Sequence, residues 1–286
     1  MVHLYATVRD KHGRLVPNLT QSDLQVFEDG QPQKIAYFSK EMNLPLTLAM
    51  LIDTSGSQQN ILGAEQETAK EFLQQILTPK DLALVISFDL DVNLLADFTN
   101  TGSILDQAID GAKINAAGPP PLVSNGPFPT NGKIIGTDFY DAVYLACHEK
   151  LAGQAGRKAI VALTDAQDYG SQETMDDAIE AAQRADTVIE VLLTVDRGFY
   201  GFGDYRGGSV AERMARETGG RVLRVSSGKD LQKAFATLSG ELRGQYVIGY
   251  YPTNAARDGS YRKIKVESTN KQYRVLTRDG YYAPSE

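Results

Sequence analysis

Leu48 to Ser57 reads LAMLIDTSGS. Together with Leu46 and Thr47 it forms a run, Leu46 to Ile52, without polar alternation. Such a run predicts a strand buried on both faces, as in a parallel sheet covered by helices. Asp53, Ser55 and Ser57 then fall on the loop at its carboxyl end, where open α/β sheets bind ligands. A carboxylate and two hydroxyls at alternate positions can face one side of an extended loop. All three offer hard oxygen, which suits Mg²⁺, Mn²⁺ or Ca²⁺ rather than zinc or copper. Gly56 lets the loop turn. Ser, Thr, Asp and Gly also cap helices, so these residues alone leave an ion site and a helix cap both open.

Downstream, buried strands alternate with amphipathic helices. Helices are expected over Ile61 to Leu77, Ser103 to Ala112, Asp138 to about Leu151, Glu173 to Ala185 and Asp230 to Leu242, with another ending at Glu217. Between them lie apolar strands, Leu82 to Phe88, Lys158 to Leu163, Val188 to Leu193 and Val222 to Val225, with Asp91 to Phe98 as an antiparallel edge neighbour. Repeated units of this kind predict a doubly wound, mostly parallel α/β sheet flanked by helices over residues 44–243. Two segments read as loops: the Pro-rich Ile114 to Gly132, and Gly198 to Gly208, GFYGFGDYRGG.

Both ends of the chain read as β structure. Leu24 to Phe27 and Lys34 to Phe38 flank Glu28-Asp29-Gly30-Gln31, a hairpin signal. Tyr246 to Tyr251, Arg262 to Val266 and Tyr273 to Leu276 follow the last helix. Each set is too small to fold alone. Residues 1–43 and 244–286 are therefore expected to pair as one discontinuous β subdomain, with residues 44–243 inserted in it.

The 286 residues carry a net charge of −7 and no dense run of Lys and Arg, which argues against nucleic acid and anionic membrane as partners. No apolar run reaches the length of a membrane span, so no membrane insertion is expected. The one cysteine, Cys147, allows no internal disulfide and sits in the apolar run Val143 to Cys147 as a small core residue.

Two further strand or helix ends complete a pattern. Leu163-Thr164-Asp165 delivers a second acid to the carboxyl edge of the same sheet, and Gly136-Thr137 opens the helix after the Pro-rich loop. Asp53-x-Ser55-x-Ser57, then Thr137, then Asp165, on this order of strands and helices, resembles the von Willebrand factor type A (VWA) domain and its metal-ion-dependent adhesion site (MIDAS). The flanks (VFEDG at Val26 to Gly30, LTPKD at Leu77 to Asp81, Tyr246 to Tyr251, Lys263 to Val266 and Gly280 to Tyr282) are similar to a bacterial group of VWA-related proteins abundant in acidobacteria. That group usually carries a secretion signal. The resemblance therefore implies a periplasmic or secreted protein whose leader has been removed, without excluding the cytoplasm. Two positions depart from the family: Ala166 stands where Gly often follows the last acid, and Ile135-Gly136 stands where two glycines usually precede the Thr.

The resemblance implies a Mg²⁺ ion, or Mn²⁺ or Ca²⁺, held directly by Ser55, Ser57 and Thr137 and through water by Asp53 and Asp165. It also implies a protein partner that offers an Asp or Glu carboxylate to the ion. Gln58, Tyr200, Phe202 and Tyr205 are the expected rim, and Asp138 and Asp168 are read as solvated acids. The last helix, running into the β subdomain, is expected to couple the site to it. A catalytic reading would make Ser55 a nucleophile. That needs a nearby base, yet His3 and His12 lie in the N-terminal β segment and His148 far down its helix. A non-enzymatic binding module is therefore expected, with a structural subunit whose ion only orders the loops as the alternative.

Overall fold

The computed structural model describes residues 1–40, 44–114, 137–195 and 206–285. Four strands open the chain: β1 (Val2–Arg9), β2 (Leu24–Glu28), β3 (Gln31–Gln33) and β4 (Ile35–Lys40). Next come β5 (Leu46–Asp53), α1 (Leu62–Ile76), β6 (Leu82–Phe88), β7 (Val92–Thr99) and α2 (Gly102–Gly111). Helix α3 (Phe139–Leu145) continues in π-helical form over Ala146–Leu151 and leads to β8 (Arg157–Thr164). The α/β part closes with α4 (Met175–Arg184), β9 (Thr187–Thr194), α5 (Gly207–Thr218), β10 (Val222–Val225) and α6 (Gly228–Arg243). Strands β11 (Tyr246–Tyr250), β12 (Tyr261–Ser268), β13 (Arg274–Leu276) and β14 (Gly280–Tyr282) end the chain.

Six strands form one sheet in the order β10-β9-β8-β5-β6-β7, parallel except for the edge strand β7. All eight residues of β5 are buried because both faces are covered. Leu48, Met50 and Ile52 pack with Leu62, Phe72 and Leu73 of α1 and with Leu231, Phe235 and Leu238 of α6. Ala49 and Leu51 pack on the other face with residues of α3, α4 and α5. Each fully buried Leu, Ile or Met here contributes about 1.5–3 kcal/mol relative to exposure. That explains why no polar residue interrupts the run from Leu48 to Ile52.

The terminal strands pair with one another. One sheet has the order β13-β1-β11-β4 and the other β14-β12-β2-β3. Their inward residues, among them Leu4, Val26, Ile248, Tyr250 and Ile264, form a single cluster, so the two sheets make a sandwich. The hairpin differs from the expected one. Asp29 and Gly30 both have positive φ, 48° and 80°, as a tight primed turn requires, but the returning strand is Gln31–Gln33 rather than Lys34 to Phe38. The chain crosses to the opposite sheet at Lys34, where β4 pairs with β11. Pro32, which has no N–H to give a ladder, suits the open edge of β3.

The end of α6 is held from three sides. Glu241, almost fully buried, is ion-paired with Arg9 of β1 and with Arg221 just before β10. Arg243 pairs with buried Asp81, whose Oδ1 also accepts the Leu46 N–H at 2.8 Å, at the start of β5. Any axial shift of the last helix has to break these pairs. Glu241→Ala removes a carboxylate that Arg9 and Arg221 share and leaves Glu190 as the acid near both. It is expected to lower stability by about 1–3 kcal/mol, read from urea denaturation midpoints.

Candidate metal centre

Adjacent parallel strands bring the two acids together. Asp53 ends β5, Thr164 ends β8, and Asp165 follows it; β5 and β8 pair in register along their length. Both acids are fully buried. Asp53 Oδ1 accepts the Ser55 N–H at 3.0 Å and its Oδ2 accepts the Thr164 hydroxyl at 2.6 Å. Asp165 Oδ1 accepts the Gln167 N–H at 3.0 Å. After Asp53 the chain makes a short 3₁₀ turn, Gly56–Gln58, which sets the Ser55 and Ser57 hydroxyls 3.0 Å apart.

Thr137 reaches the same sheet edge through backbone bonds. The Tyr169 N–H donates to its carbonyl at 3.1 Å, and the next residue's N–H, that of Asp138, donates to the Asp89 carbonyl at 2.7 Å. Asp89 follows β6 and accepts the Thr54 hydroxyl at 2.7 Å, which closes the circle back to the Asp53 loop. Asp168, read from sequence as a solvated acid, is instead structural. Its Oδ2 accepts the Tyr140 N–H at 2.9 Å in the first turn of α3 and the Ser171 hydroxyl at 2.6 Å.

Gln58 also differs from expectation. It is fully buried rather than on a rim. Its Nε2 donates to Ser57 Oγ at 3.1 Å and to Asp165 Oδ2 at 3.0 Å, and its Oε1 accepts the Thr194 hydroxyl at 3.2 Å. The amide therefore lies beneath the two loops and joins them. Tyr200, Phe202 and Tyr205 lie outside the described residues, as does most of the Pro-rich loop. A residue not anticipated, Glu65 of α1, is buried under the same centre. The signal was present: Glu65 falls on the stripe Leu62, Ala69, Phe72, Leu73 and Ile76, where an acid is out of place.

Ala166 has φ +57°, the left-handed region, which accounts for the glycine usual at this point. That conformation costs an L-residue about 1–2 kcal/mol. Glycine's added freedom in the unfolded chain offsets about 0.4–1 kcal/mol of this. The glycine variant also loses a methyl fully buried in the core, about 0.8 kcal/mol, so Ala166→Gly is expected to stay within about 1 kcal/mol of the wild type; a larger change in the urea midpoint in either direction would contradict it. Gly207, first residue of α5, meets the Asp165 carbonyl oxygen so closely that a Cβ there would collide with it.

Burial, and then the neighbouring Asp165, pushes the Asp53 carboxyl well above the usual carboxylate range. Burial likewise pushes Glu65 up to about 8. Among the described residues no three His, Cys, Asp or Glu side chains gather as a metal site, so the donor set is two carboxylates and neutral hydroxyls. That set fits a hard divalent cation: two buried carboxylates repel each other, and a cation between them removes the repulsion. The sign for stability follows. Between the ordinary value of 4.5 and about 8, folded Glu65 holds a proton that the unfolded chain has released. Stability in chelator is therefore expected to fall as pH rises from 5.5 to 8.5, and Glu65→Gln to flatten that fall, measured by urea midpoints.

No protein-family model and no curated protein matches the chain. Solved structures do. BatB from Bacteroides thetaiotaomicron matches with a TM-score of 0.52 at 16% identity, over 69% of this chain and 97% of that one. Proximal thread matrix protein 1 from the mussel byssus, with a zinc-occupied MIDAS motif, matches with a TM-score of 0.55 at 16% identity, over 74% of this chain and 48% of that one. A second structure of the mussel protein matches over 82% of this chain and 51% of its own length, with a TM-score of 0.54 at 15% identity. The chain thus spans about half the length of the mussel protein. At such identities the likeness is one of fold. The chain has a VWA-like α/β fold.

Proposed function

We propose that this chain is a divalent-cation-dependent protein-binding module that captures an acidic side chain of a partner. The supporting observation is the pair of fully buried carboxylates, Asp53 and Asp165, at adjacent strand ends with the Ser55 and Ser57 hydroxyls beside them. Ser55, Ser57 and Thr137 would hold Mg²⁺, Mn²⁺ or Ca²⁺ directly, and Asp53 and Asp165 through water. Once bound, the ion offers an electrophilic, exchangeable position that a partner's Asp or Glu fills. Hydroxyl ligands leave its charge intact, and carboxylates acting through water neutralise it only in part.

The residues around the site do the positioning. Thr164 and the Ser55 N–H fix both oxygens of Asp53. The Gln167 N–H and Gln58 fix those of Asp165. Among the described residues no histidine stands beside Ser55 to serve a nucleophilic role: His148 is exposed and paired with Glu149, and His3 is on β1 of the sandwich. A place outside the cytoplasm, periplasmic or secreted, and kinship with the bacterial VWA-related group go with this reading.

A thermal titration with Mg²⁺, Mn²⁺ and Ca²⁺ tests it. An ion at a hundred times its Kd stabilises the native state by about 2.7 kcal/mol. The wild type is expected to shift upward and Asp53→Ala not to respond. An unmoved melting curve for the wild type with all three ions would overturn the reading.

A further inference from the structure

Thr137 reaches the centre differently from the other proposed ligands. Asp53 ends β5, Ser55 and Ser57 follow it, and Asp165 follows β8, whereas Thr137 stands just ahead of α3. Its place is set through the peptide that joins it to Asp138. The carbonyl of that peptide accepts the N–H of Tyr169, in the loop after Asp165, at 3.1 Å. The N–H of the same peptide donates to the Asp89 carbonyl, at the end of β6, at 2.7 Å. The Asp89 carboxylate governs the next link. Its Oδ1 accepts the Leu90 N–H, which belongs to the same planar peptide as the Asp89 carbonyl. Its Oδ2 accepts the hydroxyl of buried Thr54 at 2.7 Å. The Phe88 carbonyl lies farther from that hydroxyl, at 3.3 Å, so the single proton is directed to Asp89. One side chain therefore grips the residue before Ser55 and, through two peptide planes, holds Thr137.

We infer that Asp89 is a positioning residue for the ion, a bracket whose carboxylate holds the Asp53 loop through Thr54 and whose carbonyl sets the Thr137 peptide against the Ser55–Ser57 pair. This rests on the proposed ion-binding function and deepens it. The strand register already fixes the ends of β5 and β8, and with them Asp53 against Asp165. The bracket supplies the remaining spacing, between the two serines and the threonine. Without the carboxylate, the Asp89–Leu90 peptide loses the group that holds its N–H. The Thr137 peptide then loses its anchor at β6 and keeps the one at Tyr169. Thr137 stays with the Asp165 loop and drifts from the serines, so ion affinity suffers although every proposed ligand remains.

The experiment is isothermal titration of the full chain with Mg²⁺, together with amide hydrogen exchange of the protein in chelator, read by NMR. Asp89→Ala and Thr54→Val are each expected to weaken Mg²⁺ about 10–100-fold, the usual range for residues that orient ligands. Thr54→Ser, which keeps the hydroxyl, is expected to bind Mg²⁺ like the wild type. In a Thr137→Ala background, Asp89→Ala is expected to cost hardly more, because a misplaced ligand and a missing one are the same loss. A residue that served stability alone would not lose its effect when Thr137 is removed. In chelator, the Asp138 amide is expected to exchange faster in Asp89→Ala and Thr54→Val, with the amides of β5 and β8 protected as in the wild type.

Wild-type affinity in Asp89→Ala or Thr54→Val, a Thr54→Ser variant as weak as Thr54→Val, or a full further loss in the Thr137→Ala background would each overturn the bracket. So would an Asp138 amide that exchanges at the wild-type rate in both variants. If Asp89→Ala does not fold, Thr54→Val carries the test. If the wild type itself binds no Mg²⁺, Mn²⁺ or Ca²⁺, the proposed function fails. Exchange at the Asp138 amide, which needs no ion, then decides whether Asp89 sets the Thr137 peptide.

Discussion

The pairing of β5 with β8 is the constraint on which the rest depends. A parallel register sends both strands out of the sheet at the same edge, and each ends in an acid or one residue before one. Helices on both faces exclude water from those ends, so the acids are buried as a consequence of the fold. Two buried carboxylates side by side are costly unless donors or a cation answer them. The neighbourhood is arranged for that. Among the described residues, backbone N–H groups, the Thr164 hydroxyl and the Gln58 amide supply neutral donors. They orient the carboxylates without cancelling their charge, as the proposed cation site requires.

The opposite edge of the same sheet follows the reverse rule. There the acids Asp81 and Glu241 meet Arg243, Arg9 and Arg221. Charges at this edge are matched within the protein and lock the last helix and the sandwich in place. Arg278 adds to the join, pairing with Asp186 at 3.0 Å and donating to the His3 carbonyl at 2.9 Å. One edge is electrostatically closed, whereas the donors described around Asp53 and Asp165 at the other are neutral. Strain also gathers at this second edge, where Ala166 takes a left-handed backbone directly after Asp165.

Legibility from sequence follows the same division. The buried strands were readable because burial on both faces removes polar alternation, and the antiparallel edge strand because it stands between a strand and a helix. The hairpin partner was misread. Lys34 to Phe38 is the more apolar stretch, but Asp29-Gly30 closes onto whatever comes next, and a three-residue strand containing Pro32 carries no hydrophobic signal. Asp53, Ser55 and Ser57 were legible as a group because they are adjacent in sequence. Gln58 was not, since a glutamine after a serine-rich turn reads as surface until the partners at Asp165 and Thr194 are seen, more than a hundred residues away. Asp168 was misread for a similar reason: its backbone partner, Tyr140, lies on another element.

Glu65 shows how such residues can be found. An acid on the apolar stripe of a helix whose other stripe residues pack against a central strand must either be satisfied or be neutral. Here burial raises its pKa, and Asp53 and Asp165 add to that rise. Packing alone does not account for an acid on that stripe, since leucine or methionine would be buried at lower cost. A helix that packs the hydrophobic floor of the sheet edge also carries an acid that faces Asp53 and Asp165, so the core and the centre are parts of one arrangement.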